Sequence, residues 1–290
     1  MKFTLHLSMI PLDQYVPLAA AAEEVGFSAI GLGDSICYPE HSESRYPYTE
    51  EGNREFLEAI PFPDPLLASA AMATGTSRIR FMTEVIKLPV RHPVLVAKQV
   101  STLAVLSGDR FSLGVGTSPW PDDYAICGVA YEGRGKRFEE AIAIIRGLLD
   151  GGYFSFEGQH YRVPSIRLNP VPEAPVPVLI GGRGRLNIDR AALLADGYVA
   201  IAKDLEELSG ALGVLRERQA EYGVRPGFEV HAGGTAVHER GGLRRLEDLG
   251  VTHTVVRMAP PTGEMVPDAE LAERVGFLRR YADEVIGASQ

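Results

Sequence analysis

RIRFMTEVIKLPVRHPVLVAKQVSTLAVLSGDRFSLGVGTSPW, residues 78–120, reads as strand, loop, helix, strand and loop. The runs RIRFMTEVI and RFSLGVG are short, apolar and rich in branched residues. HPVLVAKQVSTLAVLSG instead carries apolar residues at helical spacing, with Pro93 near its start and Gly108 at its end. Two such strands joined by one helix lie parallel in a sheet. Chemistry in parallel α/β folds gathers beyond the carboxyl ends of the strands. Thr83, Glu84 and Val85 after the first strand, and Gly116, Thr117, Ser118 and Trp120 after the second, are therefore the first candidates for a functional site.

The same alternation extends in both directions. A strand at residues 3–9 precedes a helix through PLAAAAEEVG, and the strand FSAIGLG leads into an irregular segment, residues 34–63, before the helix DPLLASAAMATG. After Trp120 come a helix GRGKRFEEAIAIIRGLLDGG and a small hairpin, YFSFEGQHYR, turning at Glu157 and Gly158. The strands PVPVLIGG, DGYVAIA, FEVHAGGTAV and VTHTVVRM then alternate with helices, the last being PDAELAERVGFLRRYADEVIG. Eight strand and helix pairs fit a closed (β/α)8 TIM barrel or a doubly wound sheet, and the first strand lacks the GxGxxG turn of dinucleotide-binding sheets. The expectation is one α/β domain over residues 1–290: a barrel with a long insertion after strand 2 and a small hairpin before strand 5.

Composition narrows the class further. The chain has 290 residues, 45% of them hydrophobic, enough for a sizeable core. A net charge of −9 without a Lys/Arg cluster argues against a nucleic-acid partner. Two cysteines, Cys37 and Cys127, make neither a disulfide framework nor a metal pattern, so no metal is expected and a reducing cytoplasm is the simple location. The start MKFTLHLSMIPLD is no export signal, and no run of about 18 apolar residues offers a membrane span.

The ordered motifs AAAAEEVGFSAIGLGDS, DPLLASAAMATG through GVGTSPW, YFSFEGQHYRV, PVPVLIGG and RAALLADGYV resemble the bacterial luciferase-like monooxygenase superfamily over most of residues 1–200. RYPY in the long loop, followed by LPVRHPVLVAK, is most similar to the actinobacterial branch that uses the deazaflavin coenzyme F420, with flavin mononucleotide (FMN) as the alternative coenzyme. The resemblance implies that the third strand ends in a bulge with a non-proline cis peptide backing the coenzyme ring, and Glu84 and Val85 occupy that place. Small residues are usual there, so Glu84 departs from the pattern. It brings a carboxylate to the barrel mouth that exchanges a proton, or that pairs with Arg91 or Lys87.

In GLGDS, Asp34 is followed by Ser35 where many relatives carry an acidic residue and then His. A serine hydroxyl without a partner is no general base near neutral pH, so Asp34 and His41 are the further catalytic candidates and Ser35 a coenzyme contact. In GVGTSPW, Gly114 and Gly116 permit close backbone approach to a ligand, Thr117 and Ser118 supply hydroxyls, and Trp120 walls the pocket or packs the barrel top. Asp122 and Asp123 suit the cap of a short helix starting near Pro121. Gly181, Gly182 and Gly184 precede a helix whose free N–H groups and dipole favour a phosphate, with Arg183 or Arg185 adding charge.

The loop at residues 36–63 is too long for a plain connection. Its Tyr38, Tyr46, Tyr48 and Phe56 suit a lid over the mouth, with Arg45 positioned for an acidic substrate group. The expected activity is hydride transfer between deazaflavin and a small organic substrate. The alternatives are an FMN-dependent monooxygenase and a non-catalytic superfamily member. Relatives are often dimers through helices near the third strand, which makes a homodimer the expected assembly.

Overall fold

The computed structural model describes residues 1–42, 44–46, 52, 54–239, 241–258 and 269–287. Strands β1 (Lys2–Leu7), β2 (Ala29–Leu32) and β3 (Arg80–Thr83) lie side by side, with helices α1 (Tyr15–Glu24) and α2 (Pro65–Thr74) between them in sequence. A two-residue strand β4 (Ile86–Lys87), helix α3 (Pro93–Ser107) and strand β5 (Phe111–Gly116) follow. Next come α4 (Pro121–Ile126), α5 (Arg134–Leu149) and an antiparallel hairpin of β6 (Phe154–Glu157) with β7 (Arg162–Ile166). The chain continues as β8 (Val178–Gly182), α6 (Arg185–Leu194), β9 (Gly197–Ala200), α7 (Leu205–Tyr222), β10 (Glu229–Gly233), α8 (Gly242–Asp248), β11 (His253–Arg257) and α9 (Leu271–Tyr281). Parallel pairing runs β3-β2-β1-β11-β10-β9-β8-β5, and β5 returns to β3, so eight strands close a (β/α)8 barrel.

Local signals set the helix ends. Asp64 caps α2 by accepting from Leu66 N and Leu67 N, an arrangement worth about 1 kcal/mol. Pro93 starts α3, and Gly108 ends it in the left-handed conformation at φ 65°, where a side chain would be strained. Two expected spans come out shorter. The seventh barrel strand stops at Gly233 and Thr235–His238 turn as a 3-10 helix, while the last helix passes into a π-helical turn at Ala282–Ile286.

Strand alternation divides the apolar residues into two cores. Outward residues such as Phe3, Leu5, Ile30, Phe81, Leu113 and Ile180 pack with helix residues such as Leu18, Val100 and Ile144. A smaller inner cluster of Met82, Leu179 and Val199, with Val85 against it, plugs the barrel. Each fully buried side chain of this size contributes about 1.5–3 kcal/mol of hydrophobic stabilisation before entropy is counted. Further inward positions include the polar residues Thr4, His6, Ser112, His231 and His253 and the glycines Gly31 and Gly114. Among the described residues, no helix is long and apolar enough to cross a membrane.

Candidate active site

The feature that positions the site is an extra residue in the β3–β4 edge. Met82 pairs with Ser112 and Ile86 with Val115, so four steps along one strand face three along the other, a β-bulge at Thr83–Val85. The Glu84–Val85 peptide bond is cis, as the resemblance implies. Thr83 Oγ1 donates to Gly114 O at 2.6 Å, and Glu84 N donates to Leu32 O at 2.6 Å, tying the bulge to both neighbouring strands.

Glycines make room for it. A Cβ on Gly114 would stand 1.8 Å from Thr83 O, and one on Gly116 or Gly181 would stand 2.8 Å from a Val85 methyl. A Cβ on Gly31 would lie 2.4 Å from the Glu84 carboxyl carbon. Gly31 sits on β2 between β1 and β3, so its missing side chain lets groups on those two strands meet across it.

Those groups are Glu84 and His6. His6 Nδ1 lies 2.6 Å from Glu84 Oε2, and His6 Nε2 lies 2.8 Å from Ser8 Oγ. The side chains of His6 and Glu84 are 9% and 5% exposed, and the second Glu84 oxygen, Oε1, is buried without a hydrogen-bond partner. Burial pushes the Glu84 carboxyl up, but the His6 hydrogen bond and the positive fields of His6, His231 and Arg257 outweigh it and leave it below the ordinary carboxylate range. Burial and then Arg257 hold the His6 imidazole below its ordinary value, against the pull of Glu84. Near neutral pH the pair is thus a carboxylate and a neutral imidazole. The single ring proton sits on Nδ1 and is donated to Glu84, and Nε2 accepts from the Ser8 hydroxyl.

Glu84 therefore pairs with neither expected cation. Arg91 donates through both terminal nitrogens to Asp34, at 2.8 and 2.9 Å, and Lys87 N donates to the same carboxylate at 2.9 Å. With its side chain 2% exposed and both oxygens engaged, Asp34 anchors the loop after β2 and is not positioned to exchange protons. Lys87 Nζ is taken by Asp123, 2.9 Å away. Asp123 is fully buried and bonded to the Ser118 hydroxyl as well, so it ties down α4 instead of capping it. Ser118 is committed to that carboxylate and to Trp120 N, which removes it from the expected coenzyme contacts.

Trp120 is 2% exposed, with the Arg54 guanidinium 3.0 Å above its ring centroid. This cation–π contact holds Arg54 of the long loop, and of the two expected roles for Trp120, pocket wall or packing at the barrel top, its burial matches the packing one. Ser42 and Ser44 hydroxyls bond Asp122, fastening the same loop to α4. His41 is exposed on the loop after β2, not in the buried pair that His6 and Glu84 form. Ser35 and Thr117 are half-buried at the mouth, Thr117 Oγ1 lying 3.4 Å from Asn187 Oδ1. Arg45 and Tyr46 belong to the described part of the loop, and Tyr46 N donates to Gly52 O at 2.7 Å, while Tyr48 lies outside the described residues. Gly181 and Gly182 end β8, and exposed Arg183 donates to Ile201 O at 3.2 Å with Glu207 3.7 Å away.

His6 and Ser8 are absent from the motifs singled out above. Their signal lies in KFTLHLSMI: Phe3, Leu5 and Leu7 are apolar, whereas Thr4, His6 and Ser8 form a polar alternate face on a strand buried on both sides.

A closed parallel barrel with a bulged third strand, glycines packed around the bulge and a buried carboxylate–imidazole pair make up the candidate site. The family profile described as luciferase-like monooxygenase matches residues 3–241, and the chain belongs to that family. An uncharacterized protein of Mycobacterium tuberculosis is 42% identical over 287 residues, 99% of each chain. An F420-dependent hydroxymycolic acid dehydrogenase of the same organism is 31% identical over 199 residues, which are 67% of this chain and 51% of that protein. The structure of the coenzyme F420-dependent tetrahydromethanopterin reductase from Methanopyrus kandleri matches with a TM-score of 0.76 at 15% identity, over 100% of this chain and 99% of that one, a likeness of fold.

Proposed function

We propose that this protein is a coenzyme F420-dependent oxidoreductase that moves a hydride between the deazaflavin and a small organic substrate. The observation that carries the reading is the bulge at Glu84–Val85, seated against Gly31, Gly114, Gly116 and Gly181 at the carboxyl end of the barrel. Glu84 Oε1, buried without a partner, offers an acceptor to an incoming N–H or O–H donor. These residues fit a flat polar ring. When bound, the deazaflavin supplies a carbon-centred hydride acceptor or donor.

The protein's own part is positioning. The Val85 side chain wedges against Gly116, Gly181 and Val199 and holds the bulge, on which the ring is to rest, at one height. Ser35 and Thr117 supply hydroxyls at the rim. The N-terminus of α6 after Gly181, Gly182 and Gly184 suits the coenzyme phosphate, with Arg183 beside it. Arg54, Ser42 and Ser44 fasten the described part of the long loop to Trp120 and Asp122, which suits a lid that excludes water from hydride transfer. A cytoplasmic homodimer completes the reading, since Leu67 on α2 and Leu95 and Leu106 on α3 are 65–71% exposed.

Separate fluorescence titrations with oxidised F420 and with FMN test it. F420 is expected to bind at micromolar or tighter dissociation constant. Gly181→Ala, whose new methyl displaces Val85, is expected to weaken that binding by about tenfold, or ~1.4 kcal/mol. Binding of FMN alone would overturn the choice of coenzyme in favour of an oxygenase. Binding of neither would favour a non-catalytic member of the family.

A further inference from the structure

We propose that Ser8, His6 and Glu84 form a proton line at the barrel mouth, and that the substrate of this site is an alcohol, or its carbonyl product, whose hydroxyl proton passes through Ser8. The inference rests on the redox reading above for the substrate, but the line of three side chains stands on its own geometry.

The order of the groups is what such a line requires. Ser8 follows His6 by two residues, just beyond the carboxyl end of β1, and like His6 and Glu84 it is half-buried. Its hydroxyl lies 2.8 Å from His6 Nε2, the ring nitrogen that carries the lone pair. Behind the ring, Glu84 Oε2 lies 2.6 Å from Nδ1, fixing the tautomer and ready to stabilise an imidazolium. The hydroxyl on its own is a poor base, and the partner that Ser35 lacks is present at Ser8.

Protons and electrons balance as follows. The carbinol C–H bond breaks with both electrons leaving on the hydride to the oxidised deazaflavin, and the C=O bond forms. The substrate O–H proton goes to Ser8 Oγ as the Ser8 proton goes to His6 Nε2. The imidazolium is held by ionised Glu84, and the proton returns to water through Ser8 once product has left. Carbonyl reduction runs the same route backwards.

The charged groups around the pair decide its working range. Glu84 faces His6 from the bulge, Arg257 faces both from β11, and His231 faces Glu84 from β10, while β2 contributes only Gly31. Arg257 opposes protonation of His6 and favours ionisation of Glu84, so the neutral imidazole is the resting form and a proton is taken up only against a transient negative charge on the hydroxyl.

The test begins with the coenzyme-free protein and diisopropyl fluorophosphate, a reagent that marks serines activated by an imidazole. Peptide mass spectrometry should find the adduct on Ser8, at a rate that is level at neutral pH and falls where His6 becomes protonated, below pH 6.5. His6→Gln should slow labelling by about 100-fold. Glu84→Gln, which keeps the shape of the side chain, should slow it by about tenfold and move the acid limb, because the ring loses its ionised partner. Absence of an adduct on Ser8, or labelling indifferent to both substitutions in folded protein, overturns the line. With F420 bound, cyclohexanol and 2-butanol should bleach the oxidised coenzyme, about 100-fold more slowly in Ser8→Ala and with recovery in Ser8→Thr, at unchanged coenzyme affinity. No bleaching with either alcohol in protein that binds F420 overturns the substrate class. Labelling of Ser8 in protein that binds no F420 overturns the redox reading and the alcohol with it, leaving the proton line intact.

Discussion

Asp34→Ala is expected to lower the stability of the folded barrel by about 3 kcal/mol, read as a reduced urea midpoint at unchanged slope. The loss has two sources. Arg91 keeps a guanidinium that is 22% exposed but no longer paired, and Lys87 N loses its acceptor where the chain leaves the bulge. A buried pair broken on one side leaves a charge desolvated without compensation, which costs more than the pair itself is worth. The double variant Asp34→Ala with Arg91→Met should therefore recover part of the loss. If the single variant unfolds at the wild-type midpoint, the anchoring role of Asp34 is wrong.

The second large effect is acid destabilisation from the opposite end of the barrel. Glu229 on β10 accepts from Arg80 Nη1 at 3.1 Å and lies 2.9 Å from His231 Nε2, and the His231 and His253 rings stack 4.2 Å apart. Burial raises the Glu229 carboxyl, but the His231 hydrogen bond, His253 and Arg80 outweigh it and bring it to about 2, from an ordinary 4.5. Burial, then His231, hold His253 at about 3, from 6.5. The signs agree. The unfolded chain protonates the imidazole below pH 6.5 and the carboxylate below 4.5, before the folded protein does, so stability falls as pH drops through 6.5 and falls more steeply from 4.5 towards 2. Glu229 alone accounts for about 3 kcal/mol of that loss. Urea midpoints at pH 7, 5 and 3.5 should trace it, and Glu229→Gln should start lower and flatten the limb below pH 4.5. A wild-type midpoint constant from pH 7 to 3.5 would refute the assignment.

Glu229, His231 and His253 also bring potential ligand atoms within 4.8 Å of one another. Their chemistry is nonetheless that of an internal ion-pair network. The two imidazole planes are only 13° from parallel, so their in-plane lone pairs run side by side instead of converging on one ion, and Arg80 already neutralises the carboxylate.

The architecture was legible because it is written in short-range order. Apolar strands, helical spacing, Pro93 and Gly108 at the ends of α3, and the hairpin turning near Gly158 all depend on neighbours within a few residues. The bulge at Glu84–Val85 was legible through family resemblance, and the glycines around it through their backbone freedom. The choice among polar partners was not. Asp34, Ser118, Trp120 and His41 look like site residues because they follow strand ends, yet the first three are spent on Arg91, Asp123 and Arg54, and the fourth is exposed.

By itself the sequence determined that eight strands would alternate with helices, which residues of each strand share a face, and where the backbone needed glycine. Only the tertiary structure decided which inward residues meet. His6 and Glu84 are 78 positions apart and sit on strands separated by β2. They touch because the parallel register sets His6 opposite Gly31 and Gly31 opposite Met82, placing Glu84 one inward position higher, with no side chain between. That register comes from helices packing across the outside of the barrel, a long-range agreement of shapes that no spacing along the chain expresses.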